Sequence, residues 1–249
     1  MLKFIKRLFP NSVKQEGKYF LYGLLKIPYS RAGVPLEILH WLPKGKPITF
    51  FDVGANAGFF SKSISGEYEI SKAILVEPVV RLMPLLEKTF PDRDKFKIIN
   101  AVLSDTISEV DFYVSEDADF VSSMLRIKNK GEEFGSLNFA DPVLIKIKSL
   151  TLDSIVSDEK IDYVDLIKID VQGAEHLVLQ GGMETLKNTK LVYTEFSFRP
   201  VYDKSSVLFD LYNFFYDNGF MLAHLSSGFA SSVGELLQGD ALFVNRKFI

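Results

Sequence analysis

The sequence predicts an α/β fold with a mostly parallel central sheet and helices on both faces. Three observations lead to this prediction. Short apolar runs alternate with helix-like stretches, several runs end in an acid, and the first leads into the glycine loop DVGANAG. Such alternation is typical of parallel sheets that are covered on both sides. One domain of this kind with a short extension accounts for the 249 residues.

The main domain is predicted over residues 47–249, after an N-terminal helical or irregular extension over residues 1–46 that is rich in proline and glycine. Its strands have the β-branched and aromatic residues of buried runs. They are predicted at Ile48–Asp52, Lys72–Glu77, Phe96–Ala101, Leu166–Asp170 and Leu191–Glu195. Helices are predicted after the first, second and fourth strands, at Gly58–Ser65, Arg81–Phe90 and Ala174–Gln180.

Two regions depart from this alternation. Residues 102–150 predict a β-rich insertion, because Asp111–Val114 and Val143–Lys148 alternate as half-exposed strands do. At the other end, Phe220–His224 and Ala241–Asn245 predict a C-terminal antiparallel hairpin that is joined by a loop rich in glycine and serine.

Composition limits the partners and the compartment. The net charge is −3, so bulk charge gives no reason to expect nucleic acid as a partner. The chain has no cysteine, which excludes disulfides and cysteine-based metal or redox chemistry and agrees with a cytoplasmic location. No apolar run approaches the roughly 20 residues of a transmembrane segment. Residues 1–10 are basic and apolar, which suits weak peripheral membrane contact or a docking helix. The oligomeric state is left open.

Four of the predicted strands end in acids, at Asp52, Glu77, Asp170 and Glu195. Parallel strands bring their carboxyl ends to one edge of the sheet, where ligands bind near the point of reversed strand order. We therefore expect a site at this edge that favours positive charge and hydroxyl donors.

The glycine loop distinguishes two kinds of ligand. A dinucleotide site needs G-x-G-x-x-G for its pyrophosphate, but the loop has only Gly54 and Gly58 with Asn56 between them. Asp52 would also repel phosphate. S-adenosylmethionine has no phosphate, and its ammonium and sulfonium suit Asp52 and Asp170. Glu77, which is followed by Pro78, is predicted to accept hydrogen bonds from the ribose hydroxyls. The backbone at Gly54 and Gly58 is predicted to lie against the methionine portion of the ligand. Asn100 and Ala101 are predicted to contact the adenine.

Six motifs together resemble the FkbM-type methyltransferases that depend on S-adenosylmethionine. In order along residues 48–197 they are DVGANAG, VEP, INAVLSD, KSLTLDSI, LIKIDVQGAE and VYTEFS. The resemblance implies the Rossmann-like class I methyltransferase fold. It also implies methyl transfer to oxygen, on a small-molecule acceptor such as a saccharide, another glycan or a natural product. Gln172 stands where the family often has glutamate.

Methyl transfer to a hydroxyl needs a base within hydrogen-bond reach. Glu195 is the best placed candidate, and the others are Asp170, His176, His224 and Lys168. A divalent metal such as Mg²⁺, held by Asp170, Glu175 and Glu195, is the less favoured alternative.

Substrate contacts are predicted from Arg199, from the loop at residues 115–139 and from aromatic residues 193–220. Within the last group Phe209, Tyr212 and Tyr216 recur at helical spacing and predict a face packed in the core. Two other functions stay open at this point: a nicotinamide-dependent oxidoreductase, and a non-catalytic domain of the same fold that binds a glycan or a protein partner.

Overall fold

The computed structural model of the chain describes residues 30–42, 44–115, 122–127, 141–228, 230 and 234–249. The predictions for residues 1–10 and for residues 116–121 and 128–139 of the substrate loop lie outside these ranges. None of the helices in the described ranges is long and apolar enough to cross a membrane.

The helices and strands follow one another in the predicted alternation. They are α1 (Leu36–Trp41), β1 (Ile48–Val53), α2 (Phe59–Glu67), β2 (Ile70–Val76), α3 (Met83–Thr89), β3 (Phe96–Ile99), β4 (Val102–Leu103), β5 (Glu109–Val114), β6 (Val143–Leu150), α4 (Leu152–Asp158), β7 (Val164–Ile169), α5 (Glu175–Gln180), α6 (Met183–Lys187), β8 (Thr189–Ser197), α7 (Leu208–Asp217), β9 (Phe220–Ser227) and β10 (Gln238–Asn245).

The central sheet has seven strands in the order β3-β2-β1-β7-β8-β10-β9. Neighbouring strands are parallel, except that β10 is antiparallel to both β8 and β9. This arrangement confirms the mostly parallel α/β fold and the C-terminal antiparallel hairpin. The strand order reverses at β1, which lies between β2 and β7, so the ligand site is expected where these strands end.

A second sheet of three strands, in the order β4-β6-β5, forms the predicted insertion. The third strand of the main sheet was predicted to end at Ala101, but β3 ends at Ile99. The residues that follow, Val102–Leu103, pair with β6 in the second sheet. Asn100 marks the exit from the main sheet. Its side-chain amide donates to the carbonyl oxygens of Glu77 and Pro78, each at 2.9 Å.

Alternate residues of the strands bury their side chains on opposite faces of the central sheet, as the pleat requires. Phe51 and Ile167 belong to the apolar cluster on one face, and Phe50 and Leu166 to the cluster on the other. Ile38 of α1 is fully buried in the second cluster. The described part of the N-terminal extension is therefore packed into the core of the domain.

Helix α7 carries aromatic residues on two faces. Leu208, Leu211 and Phe215 are buried, whereas Phe209, Tyr212 and Tyr216 are 69%, 37% and 53% exposed. The prediction that Phe209, Tyr212 and Tyr216 form the packed face was wrong, because the leucines and Phe215 cover the sheet instead.

Candidate active site

The loop after β1 passes very close to the end of β7. Gly54 has φ +75°, and a Cβ atom placed on it would lie 1.9 Å from the carbonyl oxygen of Asp170. Only glycine is accommodated there, since a side chain adds both strain and a backbone collision. Gly58 also has a positive φ, but its added Cβ would meet the Phe90 ring at 2.7 Å. Packing against Phe90, rather than contact with a ligand, accounts for Gly58.

Glu77 follows β2 and is 4% exposed. One of its carboxylate oxygens accepts from the backbone amide of Asn56 at 2.8 Å, and the other accepts from the amide of Val79, also at 2.8 Å. Burial raises the pKa of Glu77, and these two hydrogen bonds oppose the shift. Each oxygen keeps a second lone pair. The pair of oxygens can therefore still accept two hydroxyl donors from a ribose.

Asp52 does not reach the ligand edge as predicted. It is fully buried, accepts a hydrogen bond from the Ser61 hydroxyl at 2.6 Å, and faces the Lys168 ammonium at 3.3 Å. Lys168 also lies 3.4 Å from the Asp170 carboxylate and donates to the Gly54 carbonyl at 2.7 Å. Burial opposes the charge of Lys168, but Asp170 and Asp52 together raise its pKa. Asp52 thus neutralises Lys168 instead of a ligand cation.

A cavity lies between the end of β2, the loop after β1 and the small sheet. Its polar lining comes from Asn56, Glu77, Ser122, Asp170 and Gln172, and the apolar side chains that line it include Val76, Val102, Leu103, Phe112 and Met124. The flat faces of an adenine ring can pack against the apolar part, and a hydroxylated sugar suits Glu77. The residues present therefore fit S-adenosylmethionine.

Not all of the residues predicted near the adenine line this cavity. Pro78 and Ala101 line it, but Asn100 does not. The Asn100 amide is occupied by the carbonyl groups of Glu77 and Pro78, which follow β2. Its side chain therefore shapes the turn into β4, and of these two residues only Ala101 borders the cavity.

Asp170 and Glu195 meet beside the cavity at the ends of β7 and β8. The side-chain amide nitrogen of Gln172 donates to Asp170 Oδ1 at 2.8 Å and to Glu195 Oε2 at 3.2 Å. The Asp170 side chain is 40% exposed, so this acid is accessible to a ligand. Gln172 itself lines the cavity. The sequence anticipated the two acids but not the amide that joins them.

Glu195 has an additional acidic neighbour that sequence reasoning missed. Strand β10 pairs Asp240 with Glu195, and the Asp240 carboxylate is hydrogen-bonded by the Tyr193 hydroxyl. Burial, followed by the negative charges of Asp170, Glu175 and Asp240, raises the pKa of Glu195 well above its ordinary value. A carboxylate with a raised pKa is a stronger proton acceptor than an ordinary surface acid.

Glu175 holds the loop that carries Gln172. Its carboxylate accepts from the backbone amides of Val171 at 3.2 Å and Gly173 at 3.1 Å. Burial raises the pKa of Glu175 to about 7. Its Oε1 atom accepts both of these hydrogen bonds, and among the described residues no three His, Asp or Glu side chains are arranged to hold a metal ion. The possible magnesium site gains no support.

His176 and Arg199 were predicted to contribute to the site. Neither residue lines the cavity. The charges that act on His176 are those of Asp105 and Asp210, and burial lowers its pKa. The structure therefore does not bring His176 together with Asp170 and Glu195. Arg199 follows β8 and is partly buried.

Replacing Glu77 by alanine should weaken binding of S-adenosylhomocysteine by about 1.5–3 kcal/mol, the scale of hydrogen bonds to charged groups. Isothermal titration calorimetry measures this loss. The matched control is Glu87→Ala on α3, an exposed acid that lies 3.7 Å from Arg93. If both variants bind like the wild type, Glu77 does not hold the ribose.

Comparison with known proteins shows which sequences and structures this chain resembles. A model of the methyltransferase FkbM domain matches residues 52–226. The 2-O-methyltransferase NoeI of Sinorhizobium fredii is 28% identical over 207 residues, which cover 81% of this chain and 84% of NoeI. The crystal structure of methyltransferase FkbM from Methylobacillus flagellatus KT covers 87% of this chain with a TM-score of 0.55 and 12% identity. This chain spans 48% of that longer protein, and the likeness shows the fold.

The protein is a Rossmann-like methyltransferase that depends on S-adenosylmethionine. Because the family match covers most of the chain, the protein belongs to the FkbM methyltransferase family. The nicotinamide-dependent alternative gains no support from these matches.

Proposed function

We propose that this methyltransferase transfers a methyl group to a hydroxyl oxygen of a small acceptor, a saccharide or a related natural product. The observation that carries the proposal is the pair of carboxylates, Asp170 and Glu195, joined by Gln172 beside the cavity. A hydroxyl is a poor nucleophile until its proton is accepted, and a carboxylate with a raised pKa suits that task. The 2-O-methyltransferase NoeI supports an oxygen acceptor.

Each residue of the proposed site has a distinct task. S-adenosylmethionine, when bound, supplies a methyl group that its sulfonium already activates. Glu77 would hold the ribose, and the apolar lining near Ala101 would hold the adenine. Glu195 accepts the proton of the acceptor hydroxyl as the new bond forms. Asp170, with its exposed carboxylate, orients either the acceptor or the cationic end of the donor. Alignment of donor and acceptor supplies most of the remaining acceleration.

The identity of the acceptor can be tested with methyl-labelled S-adenosylmethionine and a panel of sugars and oligosaccharides. The label should appear on sugars that carry hydroxyl groups. It should stay on the sugar under every treatment that leaves ether bonds intact. Each active sugar should be compared with its 2-deoxy counterpart and with an amino sugar. Transfer only to the amino group would contradict the oxygen acceptor.

The donor site can be tested separately by calorimetric titration with S-adenosylhomocysteine, with NADH as the control. We expect micromolar binding of the first and none of the second. Binding of NADH alone would contradict the proposed assignment of the cavity.

Replacing Asp240 by asparagine should shift the pH dependence of turnover. The substitution removes a negative charge next to Glu195, so the pKa of Glu195 falls and its carboxylate form persists to lower pH. The acid limb of the kcat profile should therefore move to lower pH, by up to about one unit. The control is Asp217→Asn, an exposed acid of α7. A shift to higher pH would contradict the assignment of Glu195 as the base.

A further inference from the structure

A buried tyrosine is linked to both carboxylates of the site through one amide. Tyr202 is 1% exposed, and its hydroxyl donates to Gln172 Oε1 at 3.1 Å. On the other side of the same amide, the nitrogen donates to Asp170 and to Glu195. The function proposed above uses Gln172 only as the link between the two carboxylates and gives Tyr202 no task.

The direction of these hydrogen bonds depends on the tyrosine. Ionised carboxylates only accept hydrogen bonds, so the amide nitrogen of Gln172 must face Asp170 and Glu195. The amide oxygen then needs a donor on its other side, and the Tyr202 hydroxyl provides it. A reversed amide would place its oxygen against two acids. Tyr202 thus fixes which end of Gln172 faces the carboxylates.

The backbone around Gln172 is held in a conformation that serves this contact. Gln172 has φ +57°, in the left-handed region that side chains rarely adopt. Ser123 donates to the Gln172 carbonyl at 2.7 Å, and Ile127 pairs with Tyr202 through an isolated β-bridge. A Cβ on Gly173 would lie 2.8 Å from the Tyr202 ring. An unfavourable dihedral that several neighbours maintain is a feature typical of functional sites.

The charges around the amide show why a donor is needed there. Asp170 and Glu195 are like charges at the ends of adjacent strands, and a shared N–H donor offsets their repulsion. The other charged groups with the largest effects on the pKa of Glu195 are Glu175, Asp240 and Lys168, and the charge of Glu195 also acts on Tyr202. Of these, only Lys168 is a cation, and it contacts Asp170 rather than Glu195 in the described structure.

We propose that Tyr202 and Gln172 are positioning residues, which hold the carboxylates of Asp170 and Glu195 at a fixed separation and orientation for proton acceptance from the acceptor hydroxyl. The inference rests on the proposed role of Glu195. Tyr202 acts only through Gln172, because its hydroxyl reaches the acids by way of the amide. The two residues should therefore behave as one unit.

A double-mutant cycle tests this coupling. Tyr202→Phe removes the hydroxyl alone, and Gln172→Met keeps an unbranched stem but removes both polar ends. Each single variant should lower kcat about 10- to 100-fold, the effect of small misplacements in an active site. Affinity for S-adenosylhomocysteine and the melting temperature should change little. The double variant should be no slower than Gln172→Met, because coupled residues are not additive.

Tyr212→Phe, an exposed tyrosine on α7, is the matched control and should keep wild-type turnover. Multiplied effects in the double variant, or wild-type turnover in Tyr202→Phe, would overturn the inference. The NMR signals of the Gln172 side-chain amide provide a test that does not depend on catalytic activity. They should move in Tyr202→Phe and not in Tyr212→Phe, and unchanged signals would also overturn it.

The cycle uses whichever acceptor the wild type methylates, so it does not depend on the sugar assignment. A wild type that methylates only a non-hydroxyl acceptor would contradict the proposed function. Non-additivity would still support the coupling of Tyr202 to Gln172 in that case.

Discussion

Replacing Glu195 by glutamine is expected to lower kcat by about 100- to 10,000-fold, the usual contribution of a positioned general base. Glutamine keeps the size of the side chain but cannot accept a proton. The amide of Gln172 can still donate to its oxygen, so the local structure should persist. S-adenosylhomocysteine should bind with nearly unchanged affinity. Steady-state kinetics at saturating donor, together with calorimetry, measure both quantities.

The control for this variant is Glu184→Gln on α6, an acid with a 74% exposed side chain that pairs with Lys187. Its turnover should equal that of the wild type. A Glu195→Gln enzyme with wild-type kcat would exclude Glu195 as the base, and Asp170 would become the remaining candidate. Weaker donor binding without loss of kcat would instead assign Glu195 to the donor.

Replacing Gly54 by alanine should destabilise the protein by about 4 kcal/mol or more, in the range that only a few kinds of substitution reach. The added methyl group would lie 1.9 Å from the Asp170 carbonyl oxygen. The loop after β1 would have to move away from β7, and the Lys168 contact with the Gly54 carbonyl would be lost. Donor binding should be lost as well. Chemical denaturation and calorimetry measure the two effects.

Gly45→Ala separates the backbone strain from the collision. Gly45 has φ +110°, with no atom within 4 Å of an added Cβ. It should therefore show only the dihedral cost, about 1–2 kcal/mol. Equal losses for the two variants would mean that the close approach of the loop to β7 has no energetic weight.

Local sequence patterns predicted most of the sheet. The strands predicted to begin at Ile48 and Leu166 correspond to β1 and β7, which form the centre of the parallel ladder because most of their residues on both faces are apolar. The pattern could not show where the third strand ends. The apolar run resumes at Ala101 after Asn100, and the hydrogen bonds from Asn100 to the two carbonyl groups accompany the turn of the chain into the second sheet.

The side of a helix that faces the core is harder to predict when both sides are apolar. Phe209 and Phe215 belong to one aromatic segment, but only Phe215 is buried. Helical spacing identifies residues that share a face. It does not identify the face that the sheet covers, which depends on the position of the helix in the fold.

In the site, acids at strand ends were predictable, and their partners were not. Glu77 and Asp170 reach the cavity because their strands end there. Asp52 precedes the loop by two residues in sequence, yet it points into the core and meets Lys168. Asp240 and Tyr202 reach Glu195 and Gln172 only through long-range pairing. No local pattern encodes such contacts.

The pairing of β10 with β8 has a consequence for how this protein tolerates change. Asp240 is held opposite Glu195 by the ladder that runs from Gln238 and Ser197 to Val244 and Leu191. A shift of one residue would turn Asp240 to the other face of the sheet. The pairing of β10 with β8, and not the segment that precedes β10, determines the position of Asp240. We therefore expect a change in the length of the chain between β9 and β10 to leave Asp240 opposite Glu195, provided that the ladder keeps its register.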